Sequence, residues 1–238
     1  RDTSGQAKGI KISGSYAFIA DAVSGLAIIN ISDPSNPGTP VYKDGLSGGA
    51  INLDVVGNYA YVACDATGLA IYDVSDPTNP GDPVIVDTNG NANDVKVLGN
   101  YAYVADASEG LAIIDISDPT NPGSPTYKNT SGRAFGITAS GNYAYVADGS
   151  EGLAIIDISD PTSPGDPIYM DTTDTDNGAI NVFIDNDFAY VSNSTTGLAE
   201  YYTGSEFKSI DSPPLITSFT IDGGSAVTSG GIDAAAGG

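Results

Sequence analysis

Along most of the chain, runs in which apolar and polar positions alternate are followed by runs that are apolar throughout. The clearest alternating run is GNYAYVAD at 99–106, with sister segments GSYAFIAD at 14–21, GNYAYVAC at 57–64, GNYAYVAD at 141–148 and DNDFAYVSN at 185–193. A period of two is the signature of a strand. Tyr101 and Tyr103 then share one face, and Ala102 and Val104 the other. Both faces are largely apolar, so the pattern predicts a strand covered on both sides.

A Gly-Leu-Ala triplet opens a second strand in each unit, with Leu111 and Ile113 pointing one way and Ala112, Ile114 and Ile116 the other. A further strand candidate precedes the tyrosine run, as in DVKVLG at 94–99. Another follows the proline loop, as in SPTYKNT at 124–130, where proline suits an outer edge because it cannot donate to a ladder. The triplets start at 25, 68, 110, 152 and 197, so the spacings are 43, 42, 42 and 45 residues. GLAIIDISDPT recurs letter for letter at 110–120 and 152–162.

A period in this range fits a propeller blade or a helical solenoid repeat. Helices are excluded by the glycines and prolines that interrupt every candidate window. The chain therefore reads as all-β: a β-propeller of about five four-stranded antiparallel blades, a repeat of about 42 residues, with a C-terminal extended tail. The propeller spans 1–212, with blades near 5–47, 48–90, 91–132, 133–177 and 178–212. The last unit, GLAEYYTGSEFKSID, lacks the SDPTNPG loop and is expected to close its final hairpin near Gly204. RDTSG at 1–5 matches NTSG at 129–132, the end of an outer strand, and whether five blades close a ring is left to the structure.

The segment GLAIIDISDPTNPG, preceded by YAYVAD, resembles the LVIVD repeat of bacterial and archaeal surface proteins over roughly residues 5–212. The resemblance implies propeller blades and a secreted or cell-surface setting. It implies no catalytic residues.

Charge narrows the partners. Thirty acidic residues face eight basic ones, a net charge of -22. Nucleic acid and anionic membranes are excluded as partners, because both need a clustered basic surface. No apolar run reaches the ~18 residues of a membrane span. A single cysteine rules out an internal disulfide.

The catalytic inventory is thin. Without histidine, neither a Ser-His-Asp or Cys-His site nor a zinc site of the usual His/Cys kind can form. Cys64 stands where Asp21, Asp106 and Asp148 stand in sister repeats and reads as a neutral replacement. Glu109 and Glu151 read as turn residues. Glu200 replaces Ile28, Ile71, Ile113 and Ile155, and a charge there is expected to be exposed at the ring seam. Asp33, Asp76, Asp118 and Asp160 precede prolines and read as turn-forming carboxylates. Asp174, Asp176 and Asn177, in the segment 171–179, are the candidate calcium ligands, although the EF-hand spacing is missing.

Tyr201 and Tyr202 replace Ile and Asp and are candidate contact residues. From 213 the period stops, and Leu215, Phe219 and Ile221 share one face of a predicted strand. That strand is either a subunit contact or the start of an immunoglobulin-like module. Asn30, Asn129 and Asn193 head N-x-Ser/Thr triplets. The expected function is a non-enzymatic, extracellular or cell-surface structural or adhesive module that forms a homo-oligomer, surface layer or filament through its terminal blades and tail. The rivals are a propeller that binds surface glycans or another ligand with help from calcium, and a carboxylate glycosidase.

Overall fold

The computed structural model describes residues 2–44, 46, 48–170, 178–194 and 197–203. They form five antiparallel sheets, each an up-and-down meander in sequence order. Blade 1 holds β1 (Gly9–Ser13), β2 (Tyr16–Ala20), β3 (Leu26–Asn30) and β4 (Val41–Lys43). Blade 2 holds β5 (Asn52–Val56), β6 (Tyr59–Ala63), β7 (Leu69–Asp73) and β8 (Val84–Val86). Blade 3 holds β9 (Asp94–Leu98), β10 (Tyr101–Ala105), β11 (Leu111–Asp115) and β12 (Thr126–Lys128). Blade 4 holds β13 (Gly136–Ser140), β14 (Tyr143–Ala147), β15 (Leu153–Asp157) and β16 (Ile168–Met170). Blade 5 shows β17 (Ala179–Asp185), β18 (Phe188–Asn193) and β19 (Gly197–Tyr202).

The chain divides into Arg1–Tyr202, which carries the blades, and Thr203–Gly238. The fourth strand expected in blade 5 and the boundary expected after residue 212 both fall outside the described residues.

The turns explain the meander. The first hairpin of blades 1 to 4 closes on a two-residue loop whose leading glycine has positive φ: Gly14, Gly57, Gly99 and Gly141, at 55° to 59°. That sign matches the twist of the flanking strands. Asn186, at 52°, takes the same role in blade 5. The second hairpin ends on the glycine of the triplet, where the backbone passes very close to the outer strand. At Gly68, φ is 85° and a Cβ would lie 2.3 Å from the Val86 carbonyl oxygen, so only glycine fits.

Each blade has two faces, called here leading and trailing. Tyr103, Ala105, Leu111 and Ile113 form the trailing face of blade 3 and pack into Ile137, Ala139, Val146, Ile156 and Ile158 on the leading face of blade 4. The same arrangement joins blades 1 to 2 and 2 to 3. Leu111, Ala112, Ile113, Ile114 and Ile116 are all buried, so the strand read as covered on both sides is covered on both sides. Burial of each such Leu or Ile contributes about 1.5–3 kcal/mol.

Backbone bridges reinforce the joints. The Ala92 amide donates to the Asp65 carbonyl at 3.0 Å and the Asp65 amide donates back at 3.0 Å, with equivalent bridges at Ala22–Ala50, Ala107–Ala134 and Gly149–Ala179.

Candidate functional site

First strands line the centre of the fold, each packing on the next, β1 on β5, β5 on β9, β9 on β13 and β13 on β17. Polar side chains tie them together. Asp54, nearly fully buried, accepts ion pairs from Lys11 of blade 1 at 2.8 Å and Lys96 of blade 3 at 3.2 Å. It also accepts the Val97 amide at 3.1 Å. Burial alone would raise its pKa, but the Lys11 hydrogen bond, the Val97 amide and Lys96 together outweigh it and hold the carboxyl below its usual range.

Asp94 repeats the device one blade on. It accepts the Asn52 amide group at 2.7 Å and the backbone amides of Val95 at 2.8 Å and Ile137 at 2.9 Å. Among the described residues no cation faces it as Lys11 and Lys96 face Asp54. Burial wins over those donors and pushes its pKa up to about 6.

Above these strands opens an axial mouth of about 210 Å³ to which all five blades contribute: Lys8, Ile51 and Asn52, Asn93 and Asp94, Phe135 and Gly136, and Ile180 and Asn181. Arg133 lies over the Phe135 ring at 5.4 Å, a cation–π contact at its edge. Sequence reading missed this convergence. The available signal was a polar residue, Asn52 or Asp94, opening first strands that are otherwise mostly apolar.

Most aspartates singled out in the sequence are held by local donors. In the proline loops, Asp76 accepts the Thr78 amide at 3.0 Å and the Thr78 hydroxyl at 2.6 Å, and Asp33, Asp118 and Asp160 do the same with Ser35, Thr120 and Thr162. These side-chain and backbone hydrogen bonds hold their pKa values below the usual range. The turn reading of these carboxylates therefore describes their geometry. Glu109 sits in a hairpin turn, its amide donating to the Asp106 carbonyl at 3.0 Å.

Asp106 is fully buried and clips the connector between blades to the tyrosine strand, accepting the Thr88 hydroxyl at 2.7 Å and the Gly90 amide at 3.1 Å. Asp148 does so with Thr130 and Gly132, and Asp21 with Thr3 and Gly5. In blade 2 both partners change together: Leu46 replaces the threonine and packs against the core cluster that contains Cys64. Cys64 is fully buried, and burial pushes its thiol up to about 12, which favours the neutral form.

Among the described residues no three His, Cys, Asp or Glu side chains group as a metal site. Asp174, Asp176 and Asn177 lie outside the described residues, as do Leu215, Phe219 and Ile221. No helix of the described residues is long and apolar enough to cross a membrane.

The outer rim differs from joint to joint. Lys43 pairs with Asp82 and Lys128 with Asp166, both at 2.6 Å, bridging blades 1 to 2 and 3 to 4. At the joint between blades 2 and 3 the same register positions hold Val86 and Ser124. A groove of about 420 Å³ lies there.

Blades 1 and 5 present the largest departure. In the internal joints Leu53, Val55, Val95, Val97, Ile137 and Ala139 are buried, whereas their blade 1 equivalents, Ile10 and Ile12, are 64% and 62% exposed. Ala7 is exposed where Ala50, Ala92 and Ala134 are buried. On blade 5, Leu198 is 67% exposed and Phe183 65%, although Leu69, Leu111 and Leu153 at the position of Leu198 are sealed. Among the described residues β17 makes no packing with β1 comparable to the other four joints.

Glu200 stands opposite Tyr190, which stands opposite Phe183, so the three form one row across the trailing face of blade 5. Glu200 is half-buried there. Tyr202 shares that face and meets Phe188 edge to face, ring centres 5.4 Å apart. Tyr201 points to the opposite, leading face, at the position of Ile114, so the structure separates it from the other two.

Repeated four-stranded meanders arranged about shared first strands define a β-propeller. Residues 4–39, 47–88, 89–126 and 131–172 match the LVIVD repeat, and the chain belongs to the LVIVD repeat family. Blade 5 lies beyond the matched segments yet carries three strands of the same meander. No curated protein matches the chain. Among solved structures, it is similar to the β-propeller domain of Myceliophteria thermophila Cps50 (Swd1), at 14% identity and a TM-score of 0.67, covering 90% of this chain and 70% of that one. It is also similar to U3-55K, at 9% identity and a TM-score of 0.67, covering 85% of this chain and 63% of that one. The computationally designed Ika8 protein matches at 10% identity and a TM-score of 0.55, covering 82% and 70%. At these identities the likeness concerns the fold.

Proposed function

We propose that the chain is a non-enzymatic structural or adhesive module, acting outside the cell or at its surface, that assembles with copies of itself through its terminal blades. The observation that supports this most is the contrast just described: Ile10 and Ile12 on β1 of blade 1 and Leu198 on blade 5 stand in water at positions that are sealed in the internal joints. Large exposed apolar positions are a feature of interaction surfaces. The residue inventory agrees, since the chain has no histidine and its buried carboxylates are occupied by structural donors.

Light scattering and electron microscopy of the purified chain across a wide concentration range test the reading. Concentration-dependent assemblies are expected; a strict monomer throughout overturns it. Protease added to intact cells tests the location, with cleavage expected.

A second reading is favoured by the axial mouth, where Lys8, Asn93 and Phe135 combine a cation, an amide and an aromatic surface around a cavity. Such a combination suits a glycan or other small polar ligand. Glycan-array binding lost in Asn93→Ala supports this reading, and no binding with or without calcium removes it.

A further inference from the structure

We infer that the axial mouth takes a sugar acid, a single saccharide ring bearing a carboxylate. This rests on the reading of the mouth as a ligand site and names the class of ligand.

The cations of the chain point to it. Six of the eight lysines and arginines lie among the described residues. Four of them tie the blades together: Lys11 and Lys96 pair with Asp54, Lys43 with Asp82 and Lys128 with Asp166. The other two, Lys8 and Arg133, form no ion pair among the described residues. Both stand at the mouth, Lys8 in its lining and Arg133 over the lining ring of Phe135. In a chain with a net charge of -22, unpaired positive charge therefore collects at this opening. Each cation departs from its repeat: Lys8 takes a position that is isoleucine in blades 2 and 5, and Arg133 one that is glycine there.

A third donor is free. In blade 2 the Asn52 side chain is held at both ends, its oxygen accepting the Leu53 amide and its nitrogen donating to Asp94 of the next blade. Asn181 stands at the same register position in blade 5, and its oxygen likewise accepts the Val182 amide at 2.8 Å. Its side-chain nitrogen has no acceptor among the described residues and is left to the mouth, where Asn181 is exposed.

These groups set the sign of the ligand. Exposed charges more than about 8 Å apart are largely screened at physiological ionic strength, so the local cations outweigh the overall negative charge. Asp94, the one carboxylate of the lining, is buried, and its oxygens already accept the Asn52, Val95 and Ile137 donors. An anion thus meets two cations and an amide, whereas a cation meets no free carboxylate. The rest of the lining suits a sugar. Phe135 offers a half-buried aromatic ring, and Asn93, whose nitrogen donates to the Ala134 carbonyl at 2.8 Å, keeps its oxygen for a hydroxyl. At about 210 Å³ the mouth is smaller than the roughly 300–1,000 Å³ that drug-sized ligands fill, which favours one ring over an oligosaccharide.

NMR titration of the purified chain with D-glucuronate and D-galacturonate, against D-glucose, D-galactose and acetate, tests this. The sugar acids are expected to bind about tenfold more tightly, or better, than the neutral sugars or acetate. Lys8→Gln and Arg133→Gln should each weaken the sugar acid about tenfold, because a charge-assisted hydrogen bond is lost, and Asn181→Ala should weaken it less. The urea midpoint should stay unchanged in all three variants, since these side chains are exposed. Acetate binding as tightly as the sugar acids, or sugar-acid binding unmoved by both cation substitutions, overturns the proposal. If neutral sugars bind as tightly as the acids, or only the glycan array gives binding, the mouth stands as a ligand site and the sugar-acid assignment falls. If neither the monosaccharides nor the array gives binding, both fall.

Discussion

Leu111 and Leu198 occupy the same register position in blades 3 and 5, each opening the third strand after its glycine. One is sealed by the next blade, and the other is two-thirds in water. The strand sequence around them is similar, so the strand does not decide its own burial. In a propeller the neighbouring blade decides it, and a blade at an unsealed joint keeps an interior face on its surface.

That contrast is sharpest in stability. Leu111→Ala opens a cavity in a packed joint and should cost about 2–5 kcal/mol. Leu198→Ala in dilute protein should cost under about 0.5 kcal/mol, as surface substitutions do. Urea unfolding of the two variants decides, and equal losses would break the comparison.

The polar ties of the internal joints come next. Asp54→Ala strands two lysines and the Val97 amide and should cost about 2 kcal/mol by the same assay. Asp106→Ala leaves the Thr88 hydroxyl and Gly90 amide without their acceptor, for about 1–2 kcal/mol. The paired change Thr88→Leu with Asp106→Cys copies blade 2 and should recover much of that loss, a coupling that a double-mutant cycle measures.

Acidity separates the buried Asp94 and Asp106, which no lysine faces as Lys11 and Lys96 face Asp54 among the described residues, from the carboxylates of the proline loops. Burial holds Asp94 and Asp106 at about 6 in the folded chain, above the ordinary carboxyl value. Their contribution to stability is thus fully present below the unfolded value near 3.8 and is lost as pH rises through about 6. The loop carboxylates Asp76 and Asp118 are shifted downward and act oppositely, losing their contribution only as pH falls below the ordinary range. The melting temperature should rise on going from pH 7 to pH 5, and Asp94→Asn should flatten the rise in a thermal melt. The smallest effect belongs to the rim: removing Lys43 from its pair with the fully exposed Asp82 should leave the unfolding midpoint unchanged within error.

The period, the strands and the hairpins were legible in the sequence because each position is spelled several times over, and glycine at a turn or tyrosine at every second position has one local meaning. The Thr88–Asp106 clip was legible in principle, since Thr3–Asp21 and Thr130–Asp148 repeat the same pair at the same spacing while Leu46–Cys64 changes both members together. The axial mouth was harder to see. Asn52 and Asp94 stand one repeat apart and Asn181 two repeats further on, and they acquire a common surrounding only when the blades converge. The exposure of Ile10 and Ile12 had no local signal, because their strand reads like β9. Glu200 did signal its site, as the one charge in a row of isoleucines. A charge there is expected to be exposed at the ring seam, whereas Glu200 is half-buried beside Tyr190.

Hydrogen exchange of the first strands at two protein concentrations tests the central claim most directly. Amides of β9 and β13 should be equally protected in dilute and concentrated protein. Amides of β1 and β17 should exchange faster when dilute and gain protection on concentration, as the second copy covers them. Protection of β1 equal to that of β9 at the lowest concentration would contradict the account, because it would mean that blade 1 already has its neighbour within a single chain.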